Sequence, residues 1–252
     1  MDARRGLFED FAIATAVLTR LPVGGQTPGE PGAVAAAGWA FPLVGAGVGG
    51  LAALAFLLAQ LLGCGIAAAA LIALLAGLAV TGAFHEDGLA DTADGFGGGN
   101  DRDAKLAIMR DSRHGTFGIL ALMLSLGLRA AALGAIGEPI HAGLALLAAH
   151  AGSRAALPMT MRLLPPARQD GLGAMAGTPS LAVALVAAVI GIAIALAALG
   201  PARGAGALVI GAAAVALTAM LARQQIGGYT GDVLGAFQQI GEIVMLLAAA
   251  AK

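Results

Sequence analysis

Cysteine, charged residues and aromatic residues are scarce in this 252-residue sequence, and each shortage excludes a class of protein. The single cysteine, Cys64, permits no intrachain disulfide and no CxxC zinc or redox site. Charged residues form 12% of the chain and the net charge is −1, so we expect no nucleic-acid partner. Aromatic residues form only 4%, whereas hydrophobic residues form 59%. This composition excludes a soluble enzyme and is typical of helices packed in lipid.

Long uncharged segments dominate the chain. Residues 31–84 contain no Asp, Glu, Lys, Arg or His. As one helix they would extend roughly 80 Å, which is too long for a single crossing of about 30 Å, so we predict two spans with a turn at 63–65. Further apolar segments lie at 117–136, 140–157, 181–199, 207–221 and 233–251. The sequence therefore predicts an all-α, polytopic integral membrane bundle of about seven transmembrane helices, forming a single domain over 1–252.

The distribution of basic residues predicts the orientation of this bundle. With seven spans, the polar connections after spans two, four and six lie on the same side as the N-terminus. That side carries ten basic residues, against Arg203 and Lys252 on the other: Arg4, Arg5, Arg20, Arg102, Lys105, Arg110, Arg113, Arg162, Arg168 and Arg223. By the positive-inside rule the N-terminus is cytoplasmic. We expect residues 1–30 to form an N-terminal interfacial segment and residues 85–116 to form a cytoplasmic catalytic loop.

An acidic motif opens this loop. Asp87, Asp91 and Asp94 are spaced i, i+4 and i+7, so a helix places them on one face. Like charges at this spacing repel, and a bound divalent cation would offset the cost. Carboxylates with one nearby His85 favour Mg²⁺ or Mn²⁺ over zinc, and Glu86, about 100° off this face, is a secondary ligand candidate. The alternative is a solvated acidic helix end.

Basic residues follow the acidic motif. Asn100 or Asp101 is expected to cap a short helix that carries Lys105, Arg110 and Arg113. The two arginines, with Asp111 and Ser112 between them, form a candidate phosphate-binding segment. The alternative is that these cations only anchor the loop on the cytoplasmic side.

Two more polar positions lie on the same predicted face. Thr230 and Asp232 open the last span beside glycines, and Asp232 is a candidate metal ligand or general base, or alternatively a helix cap. Arg20 precedes the first span and either reaches a phosphate or extends to the membrane interface. Glu242, deeper in the last span, is expected to face the interior of the bundle.

Acidic residues for a cation and basic residues for phosphate on one membrane face indicate phosphoryl or nucleotidyl transfer. Motifs of serine hydrolases, P-loop ATPases and zincins are absent from the sequence. Two other functions are also compatible with the residues alone. One is a lipid phosphotransferase of the CDP-alcohol type, and the other is a membrane transporter of a polar solute.

Five segments in order along the chain resemble the cobalamin synthase family, also called adenosylcobinamide-GDP ribazoletransferase. The most specific are HEDGLADTADG at 85–95 and MRDSRHGTFG at 109–118, and the others are 18–22, 41–45 and 228–236 together with Glu242. His114 departs from the family pattern, in which an apolar residue is expected at that position.

The resemblance implies a membrane enzyme that joins α-ribazole, or its 5′-phosphate, to adenosylcobinamide-GDP and releases GMP. It implies Mg²⁺ held by Asp87, Asp91 and Asp94, and a departing GMP stabilised by Arg110 and Arg113. Asp232 or His85 would orient or deprotonate the attacking hydroxyl. The remaining candidates are the metal ligands Glu86 and Asp232 and the substrate-binding residues Arg20, Lys105, Asp111, Ser112 and Thr230.

The expected location is the bacterial cytoplasmic (inner) membrane, with the active site facing the cytoplasm. The expected partners are the corrinoid nucleotide, ribazole and membrane lipid. Association with a second copy of the chain, or with other corrinoid-assembly enzymes, is a further expectation. The sequence does not distinguish between ribazole and ribazole phosphate as the preferred acceptor.

Overall fold

The computed structural model describes residues 6–23 and 32–251. Within these ranges it contains no strand, only an isolated bridge between Pro166 and Tyr229. Its α-helices, in chain order from α1 to α13, are Leu7–Leu18, Ala33–Ala37, Phe41–Leu61, Ile66–Thr81, Phe84–Gly98, Arg102–Ile108, Thr116–Ile136, Pro139–Ala155, Leu157–Leu163, Gly171–Met175, Leu181–Leu199, Pro201–Ile226 and Gly231–Ala250. The predicted all-α class is confirmed. The parts of the predicted interfacial segment at 1–5 and 24–30 lie outside the described residues.

All seven segments predicted to span the membrane are helical. Among the described residues, the helices long and apolar enough to cross alone are Ala33–Leu61 (α2 and α3 with the 3₁₀ turn between them), α7, α11, α12 and α13. Helix α4 has 16 residues and bends by 92° into α5, and α8 has 17 residues. The polytopic membrane bundle is therefore confirmed, with five spans or six if the bent pair counts as one. The number seven and the cytoplasmic N-terminus stay predictions.

Helix α8 forms the centre of the bundle. Every residue from 148 to 155 is buried, and α8 packs against α3, α11 and α13. Two glycines of α3 allow this close approach, since a Cβ at Gly49 would lie 2.7 Å from the carbonyl oxygen of Leu146, and one at Gly45 would overlap the carbonyl of His150. Small residues at this spacing let helix backbones meet in a membrane protein.

The bend between α4 and α5 is made by two residues in the left-handed region. Gly82 has φ 66° and Ala83 has φ 58°, and the latter conformation is costly for a residue with a Cβ. Helix α5 then runs against the start of α13. A Cβ at Gly88 would lie 2.6 Å from the carbonyl oxygen of Asp232, so this glycine lets the acidic helix touch α13. The predicted catalytic loop at 85–116 thus consists largely of α5 and α6.

Candidate active site

Three side chains able to bind a cation converge beside α5: Asp87, Asp91 and His114. The imidazole Nε2 lies 3.9 Å from Oδ1 of Asp87, and Nδ1 lies 3.8 Å from Oδ1 of Asp91. The three side chains, in that order, are 62%, 15% and 40% exposed, so the cluster is open to solvent. One ligand atom from each lies within 4.8 Å of the others. Burial, and then the nearby carboxyl of Asp87, raises the pKa of Asp91 to about 6.

Asp94, the third predicted ligand, contacts the loop before α7. Its carboxylate accepts hydrogen bonds from the backbone N–H of Gly115 at 2.6 Å and of Gly118 at 2.8 Å. A Cβ at Gly115 would lie 2.6 Å from this carboxylate, so the contact requires a glycine there. Asp94 therefore fixes the backbone that immediately follows His114. The structure leaves Asp94 out of the cation cluster, and its role as a metal ligand stays a prediction.

Asp232 adds a carboxylate from α13. The hydroxyl of Thr230 caps this helix by accepting from the backbone N–H of Val233 at 3.2 Å, and it donates to Oδ2 of Asp232 at 3.1 Å. Arg168 lies 3.5 Å from the same carboxylate oxygen. The backbone of Asp232 packs against Gly88 of α5, which is the residue after Asp87, and the negative charge of Asp232 contributes to the raised pKa of Asp91. Thr230 is thus the cap, and Asp232 is held by two neighbours with its carboxylate partly exposed.

Glu86 points into the bundle and away from the solvent-exposed cluster. Its Oε1 accepts from Arg129 at 3.1 Å and from Gln239 at 3.0 Å. Glu242, which is 1% exposed, accepts from the same Arg129 nitrogen at 3.0 Å and from Gln238 at 2.6 Å. The predicted inward orientation of Glu242 is confirmed. The structure does not bring Glu86 to the cation cluster, because its carboxylate is bound within this buried network.

His85 also faces inward. It is 2% exposed and lines an apolar cavity, whereas Asp87, two residues further along α5, is exposed on another face. The structure therefore separates the imidazole from the carboxylates with which it was grouped in the sequence. This placement does not support a direct role for His85 as the base that deprotonates the attacking hydroxyl.

Helix α6 is capped as predicted but is shorter than predicted. The side chain of Asp101 accepts a hydrogen bond from the backbone of the first turn. Lys105 lies on this helix and its ammonium donates to Gln225 of α12. Because α6 ends at residue 108, Arg110 and Arg113 lie in the following loop, and the prediction of one helix carrying all three cations is wrong.

The loop cations pair with exposed carboxylates. Arg110 donates to Asp170 at 2.7 and 2.6 Å, and Arg113 donates to Asp111 at 2.7 Å. The hydrogen bonds from Arg113 lower the pKa of Asp111 to about 2. Ser112 lies exposed between them. Three arginines line an open recess of about 550 Å³ beside this loop: Arg102, Arg110 and Arg168.

Arg20 lies on the other side of α5. Its backbone N–H donates to the carbonyl of Val80 at 2.7 Å, and its side chain covers Gly82 in the bend between α4 and α5. The side chain is exposed. Arg20 therefore contacts the turn that sets the direction of the acidic helix, and its binding of a phosphate stays a prediction.

Sequence reasoning missed His114 as a member of the cluster and Arg168 as the partner of Asp232. Each lies in a different connection from its partner, so no local spacing reveals the contact. The sequence did offer a signal for one further contact, that of Arg129. A charged residue inside an apolar span is expected to have a partner in the interior of the bundle. That signal was available from the sequence, but the identity of the partners, Glu86 and Glu242, was not.

Comparisons with known proteins agree on one family. The family model described as "CobS: Cobalamin-5-phosphate synthase" matches residues 10–250. The chain is 50% identical over 247 residues to a protein of Bradyrhizobium diazoefficiens, covering 98% of this chain and 95% of that protein. It is 46% identical over 245 residues to a protein of Mesorhizobium japonicum, covering 97% and 94%. Both relatives are named adenosylcobinamide-GDP ribazoletransferase.

A third relative, from Azorhizobium caulinodans, carries the same name and is 47% identical over 215 residues, covering 83% of this chain and 81% of that protein. No solved structure matches the chain. The family match spans all the helices that build the carboxylate cluster, the capped start of α13 and the buried ionic network. The chain therefore belongs to the CobS family of cobalamin-5-phosphate synthases.

Proposed function

We propose that this chain is an adenosylcobinamide-GDP ribazoletransferase. It joins α-ribazole, or α-ribazole 5′-phosphate, to adenosylcobinamide-GDP, and it produces adenosylcobalamin, or its 5′-phosphate, together with GMP. The observation that carries the proposal is the likeness, over nearly the whole chain, to relatives that bear this name. The open cluster of Asp87, Asp91 and His114 beside a recess lined by arginines supports it, because a pyrophosphate substrate requires both kinds of group.

The reaction exchanges one phosphorus–oxygen bond for another. A ribose hydroxyl of ribazole attacks the phosphorus attached to cobinamide, and the bond from that phosphorus to the bridging oxygen of the pyrophosphate breaks. The electron pair of this bond leaves with GMP. The carboxylate of Asp232 accepts the hydroxyl proton in this proposal, since it is partly exposed and is held in place by Thr230 and Arg168.

The cation we assign to the cluster is Mg²⁺. Asp87 and Asp91 provide the carboxylate oxygens that Mg²⁺ prefers, and one oxygen of each lies within 4.8 Å of the other and of a ring nitrogen of His114. Asp232 is a further candidate ligand from α13, while the carboxylates of Asp94 and Glu86 accept hydrogen bonds from other partners. When bound, the cation would supply positive charge to neutralise the pyrophosphate.

The cations around the loop bind the phosphates in this proposal. Arg110 and Arg113 pair with Asp170 and Asp111 at the surface, where water and salt screen an ion pair and leave it weak. A phosphate therefore competes readily for either guanidinium, which can contact two of its oxygens at once. Lys105 lies on α6, and its ammonium donates a hydrogen bond to Gln225 of α12.

We place the enzyme in the bacterial inner membrane with the carboxylate cluster on the cytoplasmic side. The ten basic residues of the N-terminal segment and of the polar connections on its side support this orientation, because positively charged loops are retained in the cytoplasm. The substrates are water-soluble nucleotides, and the solvent exposure of Asp87 is consistent with access from that side.

The test is release of GMP from adenosylcobinamide-GDP by detergent-purified protein, with and without Mg²⁺ and α-ribazole. We expect release to require both, and to be lost in Asp87→Ala. GMP formation without ribazole would indicate a hydrolase. No release by a folded preparation would overturn the proposal and return the CDP-alcohol phosphotransferase and the solute transporter as candidates.

A further inference from the structure

His85 is a buried polar side chain without a partner. It is 2% exposed, and neither ring nitrogen has a hydrogen-bond partner among the described residues. Buried polar groups are nearly always paired, because an unmade hydrogen bond in the interior is costly. The ring of Phe84 packs against it edge-on, with centroids 5.5 Å apart. The unpaired imidazole therefore points to a group that the described residues do not supply.

The space beside this imidazole is a cavity of about 270 Å³ between α1, α5, α9 and α13. Among the described residues, His85 is the one polar side chain that lines it, and the largest apolar residues around it are Leu18, Phe41, Met161, Met175 and Leu234. Ligand cavities are mostly apolar with a few placed polar groups, and this one lies just below their usual size range of about 300–1,000 Å³. It accommodates one small ring system and is too small for a corrin ring or a whole nucleotide.

The cavity adjoins the start of α13, which carries Asp232. Gly231 lines it and immediately precedes Asp232, and His85 lies on the same helix as Asp87 and Asp91. A ring bound in the cavity and attached to a ribose therefore places that ribose beside Asp232. The arrangement matches a nucleoside whose base is buried and whose hydroxyl reaches the reaction site.

The chemistry of the cavity distinguishes between the two bases of the proposed reaction. Guanine carries several donors and acceptors, and an apolar cavity with one imidazole would leave most of them unpaired. The base of ribazole is a dimethylbenzimidazole, an apolar bicycle with a single ring nitrogen free to accept a hydrogen bond. We infer that this cavity binds the base of ribazole, with the N–H of His85 donating to that free nitrogen. The inference rests on the proposed function and assigns its acceptor subsite.

The test compares α-ribazole with an indole nucleoside in which a C–H replaces the accepting nitrogen. In the native protein we expect KM for the indole compound to be roughly tenfold higher, which is the effect of one lost hydrogen bond in an apolar site. In His85→Phe, KM for α-ribazole rises by the same factor, so that α-ribazole and the indole compound have equal KM values. KM for adenosylcobinamide-GDP stays unchanged. A purely structural role for His85 would instead alter all three KM values together.

A second variant reports on the cavity without changing His85. Ala176 lines it and is 5% exposed, so Ala176→Leu reduces the available volume. We expect this variant to raise KM for α-ribazole at least fivefold while KM for the corrinoid nucleotide stays unchanged. The matched control is Ala188→Leu, which changes the lining of a separate cavity between α8, α11 and α12. We expect native KM values for this control.

A binding measurement distinguishes failure of this inference from failure of the proposed function. Calorimetry measures the binding of α-ribazole in the absence of corrinoid and Mg²⁺. Binding that weakens in His85→Phe and Ala176→Leu supports the subsite even if the native protein releases no GMP. If the native protein releases GMP but both variants bind α-ribazole normally, the subsite is wrong and the transferase function stands. The inference is also overturned if His85→Phe keeps the native difference between KM for the indole compound and KM for α-ribazole.

Discussion

One guanidinium nitrogen of Arg129 lies 3.1 Å from Glu86 on α5 and 3.0 Å from Glu242 on α13. All three side chains are buried, and among the described residues Arg129 is the one cation paired with Glu86, whereas Glu242 also lies 3.7 Å from Arg154. The contact also connects the acidic helix to the helix that carries Asp232. Residues on both sides of the active site are therefore held by one interior cation.

Replacement of Arg129 by methionine should destabilise the protein strongly. It leaves two buried carboxylates without their shared cation, and breaking a buried ion pair from one side costs about 3–5 kcal/mol. Thermal unfolding in detergent, followed by size-exclusion chromatography, measures the loss. Arg203→Met is the control, because Arg203 is an exposed residue of α12 and its loss should change stability by no more than about 0.5 kcal/mol. Equal unfolding temperatures for the two variants would contradict the assigned role of Arg129.

The position of the loop that carries His114 should depend on Gly118. A Cβ there would overlap the carboxylate of Asp94 and displace the backbone that this carboxylate binds. We expect Gly118→Ala to lower kcat/KM at least tenfold and to increase tryptic cleavage after Arg110 and Arg113. Gly127→Ala, on the same helix, has open space at the new Cβ and should remain fully active. Normal activity and protease resistance in Gly118→Ala would show that the Asp94 contact does not position the loop.

His114 should contribute to cation affinity more than to turnover. Its ring lies between two carboxylates that approach it at 3.8 and 3.9 Å. We expect His114→Leu to raise the Mg²⁺ concentration for half-maximal activity several-fold, with kcat at saturating Mg²⁺ nearly unchanged. His141→Leu removes an exposed histidine at the start of α8 and should leave the Mg²⁺ titration unchanged. An unaltered titration in His114→Leu would remove this residue from the cation site.

Sequence periodicity predicted the helices well because the apolar segments of a membrane bundle are long and their ends are marked by glycines and charges. The turn predicted at 63–65 agrees with the structure, in which α3 ends at Leu61 and α4 begins at Ile66. The ends of α12 were less well predicted, since Arg203 and Arg223 lie within the helix and interrupt its apolar pattern. A charged residue near a span end is compatible with a helix that continues past it.

The candidate site was harder to predict because its contacts join distant parts of the chain. Spacing alone placed Asp87, Asp91 and Asp94 on one face, but it could not show that Asp94 meets the amides of Gly115 and Gly118. The inward orientation of Glu86 depends on Arg129, which is 43 residues away. Periodicity assigns a residue to a face of its helix, and only the packing of neighbouring helices decides what that face contacts.

Replacement of Asp91 by asparagine should abolish turnover without unfolding the protein. Asparagine has nearly the same shape, but it removes the negative charge that the proposed cation requires and lessens the repulsion from Asp87. We therefore expect activity to fall by roughly a hundredfold or more, while stability stays equal or rises slightly. Asp103→Asn is the matched control, because Asp103 lies on α6 with its side chain 89% exposed and should retain native activity. Near-normal GMP release by Asp91→Asn would remove the cation from this cluster, since a neutral amide cannot replace a carboxylate between Asp87 and His114.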